Sequence, residues 1–288
     1  MKRLTLLAAL LFTATSIAGP QEARVPGGIA ILALPATLPA AIEARFGDQP
    51  VFIARDDDGV RRLVVGIPLV QAPGATLIQL RDPQTQQEIG SLPFTLVAKT
   101  YPEQRITLPP DSKHVHPGPE ELARYEREAK EQQAIYKRFS GSPGAWPAFV
   151  QPTAGQLTAT FGRKRFFNGE ERQPHLGMDI AAPEGQVVVA PAAGVVVQTG
   201  DYFFNGRTVL IDHGQGLVSM LCHLSEFRVA AGARLRAGEP IGLVGKTGRA
   251  TGPHLHWTVS LNDARIDPLL VLPPSSTAGT GISAPKSP

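Results

Sequence analysis

Five of the chain's seven histidines fall between positions 175 and 256, and three groupings among them have spacings that could do chemistry. His175 and Asp179 form an H-x-x-x-D pair, an imidazole and a carboxylate of the kind that bind zinc. His254 and His256 form an H-x-H pair. In a strand, residues two apart share a face, so both rings would enter one site while Leu255 turns into a core. Two imidazoles on one face suit a metal, or one ligand beside one proton-transfer group. His223 lies in the apolar run Leu221-Cys222-His223-Leu224-Ser225. A lone histidine in such a run is more often a hydrogen-bonded core residue, and two surface histidines on an exposed strand would equally satisfy H-x-H. Only the combination of the three groups points to a site.

The remaining candidates read differently. His213, in the turn-like Asp212-His213-Gly214, is expected to be structural. His114-Val115-His116 is a second H-x-H that precedes Pro117-Gly118-Pro119 and has no H-x-x-x-D partner nearby. It reads as linker surface, with entry into a groove as an inhibitory element the alternative. Gly242-Leu243-Val244-Gly245-Lys246-Thr247-Gly248 looks superficially like a phosphate loop. It lacks the order of that motif, and Gly248 and Gly252 prevent a following helix, so nucleotide binding is excluded. Cys222 is expected to be a small buried apolar residue, pointed away from His223 by strand alternation. Met178 and Met220 are core candidates.

The elements that must position these residues are mostly strands. With 29 glycines and 27 prolines in 288 residues, turns are frequent and a helical bundle is disfavoured. The expected fold class is mainly β. Residues 19–110 read as a small Ig-like β-sandwich, with candidate strands Ile29–Leu34, Val51–Ala54, Leu63–Leu69, Thr76–Leu80 and Phe94–Val97. Residues 111–144 read as a linker. Within it, between Pro117 and Phe139, Leu122, Tyr125, Ala129, Gln133 and Tyr136 form one modestly apolar helical stripe and the charged residues a solvated face. Residues 145–272 return to short apolar runs separated by Gly or Pro, and 273–288 to a tail with almost nothing to bury.

At the N-terminus, Met1-Lys2-Arg3, the apolar Leu4–Phe12 and the small residues Ser16-Ile17-Ala18 read as a signal peptide over 1–18, cleaved after Ala18 or Gly19. No later run approaches the ~18 apolar residues of a membrane span, so no transmembrane anchor is expected after cleavage. Net charge is +3, two units of it from Lys2 and Arg3, which excludes nucleic acid as a partner. The single cysteine excludes an intramolecular disulfide framework and a Cys-based zinc knuckle.

From about Gln151 to Pro268 the chain resembles the lysostaphin/LytM-type zinc metallopeptidases, the glycyl-glycine endopeptidase family. The matching stretches, in order, are Phe161-Gly162-Arg163, Pro174–Pro183, Asp212–Gly216, His223-Leu224-Ser225, Gly245–Gly248 and Thr251–Trp257. The resemblance implies an antiparallel β peptidase domain (the duplicated-hybrid-motif fold). It also implies one catalytic Zn2+ on His175, Asp179 and His256, with the fourth position open to water. By the same resemblance His254 is the general base, and His223 orients water or stabilises the oxyanion. Leu221 departs from the family, which often carries an aromatic residue there. The function implied is an exported, periplasmic endopeptidase acting on peptidoglycan stem peptides or cross-links, with D-alanyl–diaminopimelate the expected bond. An envelope regulatory protein is a further expected partner. The alternative is a non-catalytic envelope scaffold that activates a cell-wall amidase.

Overall fold

The computed structural model describes residues 19–55, 59–107, 116–141 and 144–274. The expected signal peptide, His114 and the expected tail beyond Pro274 lie outside the described residues. The N-terminal strands are β1 (Ile29–Ala33), β2 (Glu43–Phe46), β3 (Gln49–Pro50), β4 (Phe52–Arg55), β5 (Arg61–Gly66), β6 (Gly74–Arg81), β7 (Glu88–Leu96) and β8 (Glu103–Ile106). Strands β1, β5 and β4 form one antiparallel sheet, and β3, β2, β6 and β7 another. Alternation builds the expected sandwich. Ala30, Ile53, Leu63 and Val65 from the first sheet share a core with Ala44, Ile78, Leu80, Phe94 and Leu96 from the second. The intervening residues Ile29, Phe52, Ala54 and Val64 point the other way and join the core of the C-terminal half. The first sheet is therefore apolar on both faces because both are covered.

Two side-chain amides fix that docking. Gly66 N donates to Asn262 Oδ1 at 2.6 Å, and Asn262 Nδ2 donates back to Gly66 O at 2.9 Å. Gln215 treats Ile53 in the same way, at 3.1 and 3.4 Å. Each amide stands in for the neighbouring strand that this backbone lacks, and all of these groups are buried.

Helix α1 (Pro119–Tyr136) falls inside the expected segment. Pro119 at its first position and Glu120 and Glu121 in its first turn suit a helix start. It is more than a solvated connector. Ile135 and Tyr136 are buried with Val218, Met220 and Cys222, and Tyr136 O–H donates to Met220 Sδ at 3.1 Å. The charge run supplies anchors as well. Glu128 pairs with Arg124 at 2.6 Å and accepts from Phe203 N at 2.8 Å, and Glu131 accepts from Gln198. No helix among the described residues is long and apolar enough to cross a membrane.

The C-terminal half comprises β9 (Gln156–Ala159), β10 (Lys164–Phe167), β11 (Glu170–Arg172), β12 (Met178–Ala181), β13 (Val187–Val189), β14 (Gly194–Tyr202), β15 (Gly206–Gly214), β16 (Leu217–Phe227), β17 (Arg234–Leu235), β18 (Pro240–Val244), β19 (His254–Leu261) and β20 (Ala264–Ile266). Its main sheet runs β17-β14-β15-β16-β19-β12-β9. The hairpin β10–β11 stands apart and takes β8 as a parallel third strand, with Arg165 opposite Gln104. A parallel pair needs a long crossover, and α1 lies within it.

Candidate metal centre and groove

Strands β12 and β19 are antiparallel neighbours in which Asp179 lies opposite His256. Directly opposed residues share a face, and Asp179 Oδ1 sits 2.7 Å from His256 Nδ1. His175 precedes β12 in a loop tied down by two main-chain bonds, His175 N to Arg163 O and Gly162 N to His175 O. Its Nε2 lies 3.0 Å from both Asp179 Oδ1 and His256 Nδ1. The loop can pass this close to β19 because residue 177 is glycine. A Cβ there would meet Trp257 O at 2.5 Å and the His256 ring at 2.8 Å.

Two imidazole nitrogens and a carboxylate oxygen, all within 4.8 Å of one another, are zinc-type donors. The outer nitrogens support that use. His175 Nδ1 donates to Thr160 O at 3.0 Å, which leaves Nε2 with its lone pair facing inward. His256 Nε2 lies 2.9 Å from Thr258 Oγ1, and donation there frees Nδ1 in the same sense. Burial holds the His256 ring down to about 4, so it is neutral at neutral pH, as a ligand must be. The residues thus fit a bound divalent cation.

The other two rings face the same centre. His254 Nδ1 donates to Gly252 O at 2.9 Å, and its Nε2 lies 4.0 Å from Asp179 Oδ1. His223 Nδ1 donates to Thr247 O at 2.8 Å, and its ring centroid is 4.7 Å from that of His254. Burial, then the neighbouring His256 and His254, push the His223 ring down to about 3. All five residues named from the sequence therefore converge.

One local expectation fails. Simple alternation would set Cys222 and His223 on opposite faces of β16. The structure has a bulge there: between the pairs Arg207–Leu224 and Val209–Leu221, the single residue Thr208 of β15 faces two of β16, Cys222 and His223. His223 takes a φ of 63°, which non-glycine residues adopt only under constraint. The bulge brings the His223 ring to the groove that His254 and His256 also line. Cys222 lies opposite His256 and packs against α1, where burial lifts its thiol to about 12 and makes it a poor nucleophile. His213 has a structural place. Its Nδ1 donates to Ala193 O at 2.8 Å, and its Nε2 lies 2.9 Å from Ser219 Oγ, which accepts from the buried Trp257.

The centre opens into a groove of about 500 Å³ whose far wall is α1, through Leu122, Tyr125 and Tyr136. His116 is exposed and does not line the groove, so this histidine is no plug. Two arginines stand out among the lining residues that were not singled out from the sequence. Arg165, on β10, places Nη2 3.4 Å from Asp179 Oδ2. Arg249 sits in the loop between Thr247 and Gly252, the two residues whose carbonyls hold His223 and His254. The only sequence signal for Arg249 is a charged residue flanked on both sides by matching motifs.

Residues 173–268 match the model of peptidase family M23, and residues 22–99 match the family's N-terminal domain. A crystal structure from Pseudomonas aeruginosa assigned to peptidase M23 is 39% identical. That match covers 87% of this chain and 96% of the other, with a TM-score of 0.71. The chain belongs to peptidase family M23. Two curated relatives match over shorter stretches. The DD-carboxypeptidase/endopeptidase Mpg of Neisseria meningitidis is 44% identical over 101 residues, 35% of this chain and 23% of that protein. The peptidoglycan DD-endopeptidase ShyA of Vibrio cholerae is 39% identical over 103 residues, 35% and 24% respectively. The aligned part thus spans about a quarter of the length of these curated M23 relatives.

Proposed function

We propose that this protein is an exported zinc endopeptidase that opens peptide cross-links in peptidoglycan, the D-alanyl–diaminopimelate bond in particular, and that it works in the periplasm. The observation that carries the reading is the convergence of His175 Nε2, Asp179 Oδ1 and His256 Nδ1, with two further imidazoles held toward the same point. Membership of family M23 and the DD-endopeptidase names of its relatives support the substrate class. Bound to His175, Asp179 and His256, zinc supplies Lewis acidity toward a peptide carbonyl and acidifies water. His254 Nε2 is the proton acceptor, because its Nδ1 is already committed to Gly252 O. His223, anchored through Nδ1 and kept neutral by burial, presents the Nε2 lone pair as an acceptor that orients the attacking water. Arg165 steadies Asp179 through its second oxygen.

A scaffold that only activates an amidase would have no use for His223 and His254 anchored in this way. The test is incubation of the mature zinc-loaded chain with purified sacculi and with a cross-linked muropeptide dimer, products being read by mass spectrometry. Opening of the D-alanyl–diaminopimelate bond, abolished by chelation and restored by zinc, is expected. A protein that binds zinc and melts higher with it, yet cuts nothing, would overturn the endopeptidase reading.

A further inference from the structure

We infer that Arg249 forms a carboxylate-binding subsite in the groove, and that it takes a free carboxylate of the peptide substrate next to the bond that is cut. The inference deepens the peptidoglycan reading and rests on it for the identity of the substrate.

The guanidinium lies over two aromatic rings, 4.7 Å from the Phe167 centroid and 4.6 Å from the Phe204 centroid. The main-chain N–H of Arg249 donates to Phe204 O at 2.9 Å, which ties its loop to the same wall. Three other arginines line the groove, and each faces an acid: Arg165 faces Asp179, Arg172 faces Glu170 and Arg265 faces Asp263. Among the described residues no carboxylate pairs with Arg249. Burial, and then the like charge of Arg165, push its pKa down to about 10, so it stays protonated at neutral pH.

A half-buried cation beside other cations is costly in the free protein, and an anion relieves that cost. The edge of a guanidinium is a planar row of donors that matches a carboxylate in bidentate fashion. Location then assigns the anion to the substrate. The Arg249 loop carries the carbonyls that orient His223 and His254, so a carboxylate held there is registered against the two rings proposed to move protons. Stem peptides carry such groups, the free carboxylate of diaminopimelate among them.

The test uses the full zinc-loaded chain and two cross-linked muropeptide dimers that differ only in whether the diaminopimelate carboxylates are free or carboxamides. Turnover is measured, together with calorimetric affinity at a temperature where turnover is negligible, for the wild type, Arg249→Lys and Arg249→Gln. The wild type should prefer the acidic dimer by roughly 10- to 100-fold, mostly in KM and Kd rather than kcat. Arg249→Gln should shrink that preference to within about twofold, and Arg249→Lys should keep part of it. A Gln variant that loses equally on both dimers, or that keeps the full preference, overturns the subsite, as does a wild type that binds neither dimer. An acidic dimer bound with this Arg249 dependence but left uncut would uphold the subsite and refute the endopeptidase reading instead.

Discussion

Asp179 and His256 are register partners on adjacent antiparallel strands, and Asp179 Oδ1 and His256 Nδ1 lie 2.7 Å apart. Their distance is set by the β-ladder, because opposed residues on neighbouring strands are held close by main-chain hydrogen bonds. His175 completes the group from a loop. Removing any one of the three leaves two protein donors, too few for a stable catalytic zinc site. His175→Ala, Asp179→Ala and His256→Ala should each therefore lose stoichiometric zinc, measured by metal analysis of the purified chain. Full zinc in His256→Ala would show that the ligand set is wrong.

His223→Ala and His254→Ala should keep zinc and lose turnover, by on the order of 10² to 10⁴-fold each. Metal content and kcat measured on the same preparations decide this. Loss of metal from His254→Ala, with retention in His256→Ala, would reverse the two roles within H-x-H.

Gly177→Ala probes the close passage of the ligand loop against β19. The new methyl group would press on Trp257 O and the His256 ring and move a ligand without touching its chemistry. Zinc affinity, measured by competition with a chelator, should fall about 10- to 100-fold, as it does when the groups that orient metal ligands are disturbed. An unchanged affinity would mean that the loop has slack the structure does not show.

His213 makes part of the stability depend on pH. Burial lowers its pKa from the ordinary 6.5 to about 4, so the folded state favours the neutral ring. The contribution is complete above about 6.5 and is lost as pH falls through about 4. Urea midpoints of the wild type and His213→Gln should therefore converge between those values. If the two curves run parallel across this window, the titration of His213 does not govern the loss.

The amide clamps between the two halves should be worth about 1–3 kcal/mol each, because a substitution strands two buried main-chain groups. Asn262→Ala and Gln215→Ala are expected to lower the denaturant midpoint by corresponding amounts. A change below about 0.5 kcal/mol for both would show that the apolar face of Ile29, Phe52, Ala54 and Val64 holds the halves together alone.

The strand runs and the chemistry of the centre were legible because both follow short-range rules. Alternation alone puts His254 and His256 on one face, and H-x-x-x-D places an imidazole near a carboxylate. What escaped depends on distant contacts or on broken regularity. The bulge at His223 has no composition signal, so strand alternation misassigned Cys222 against its neighbour. The charge run of α1 resembles a solvated surface until Phe203 N is found on Glu128. Strand β8, with its polar sequence Glu103-Gln104-Arg105-Ile106, gains strand character only from β10, about 60 residues further on. Arg165 and Arg249 acquire meaning only when Asp179 and the rings of Phe167 and Phe204 are brought beside them.

The way the four imidazoles are anchored bears on how the protein can drift in evolution. Three of the outer nitrogens bond to main-chain carbonyls, those of Thr160, Gly252 and Thr247, and only His256 leans on a side chain, Thr258 Oγ1. A carbonyl survives whatever side chain its residue carries. The ring orientations are thus insulated from most single-codon changes nearby, and selection to preserve them is concentrated on backbone path and on position 258. Surrounding side chains are left free to diverge, and with them the shape of the groove, while the reactive geometry persists.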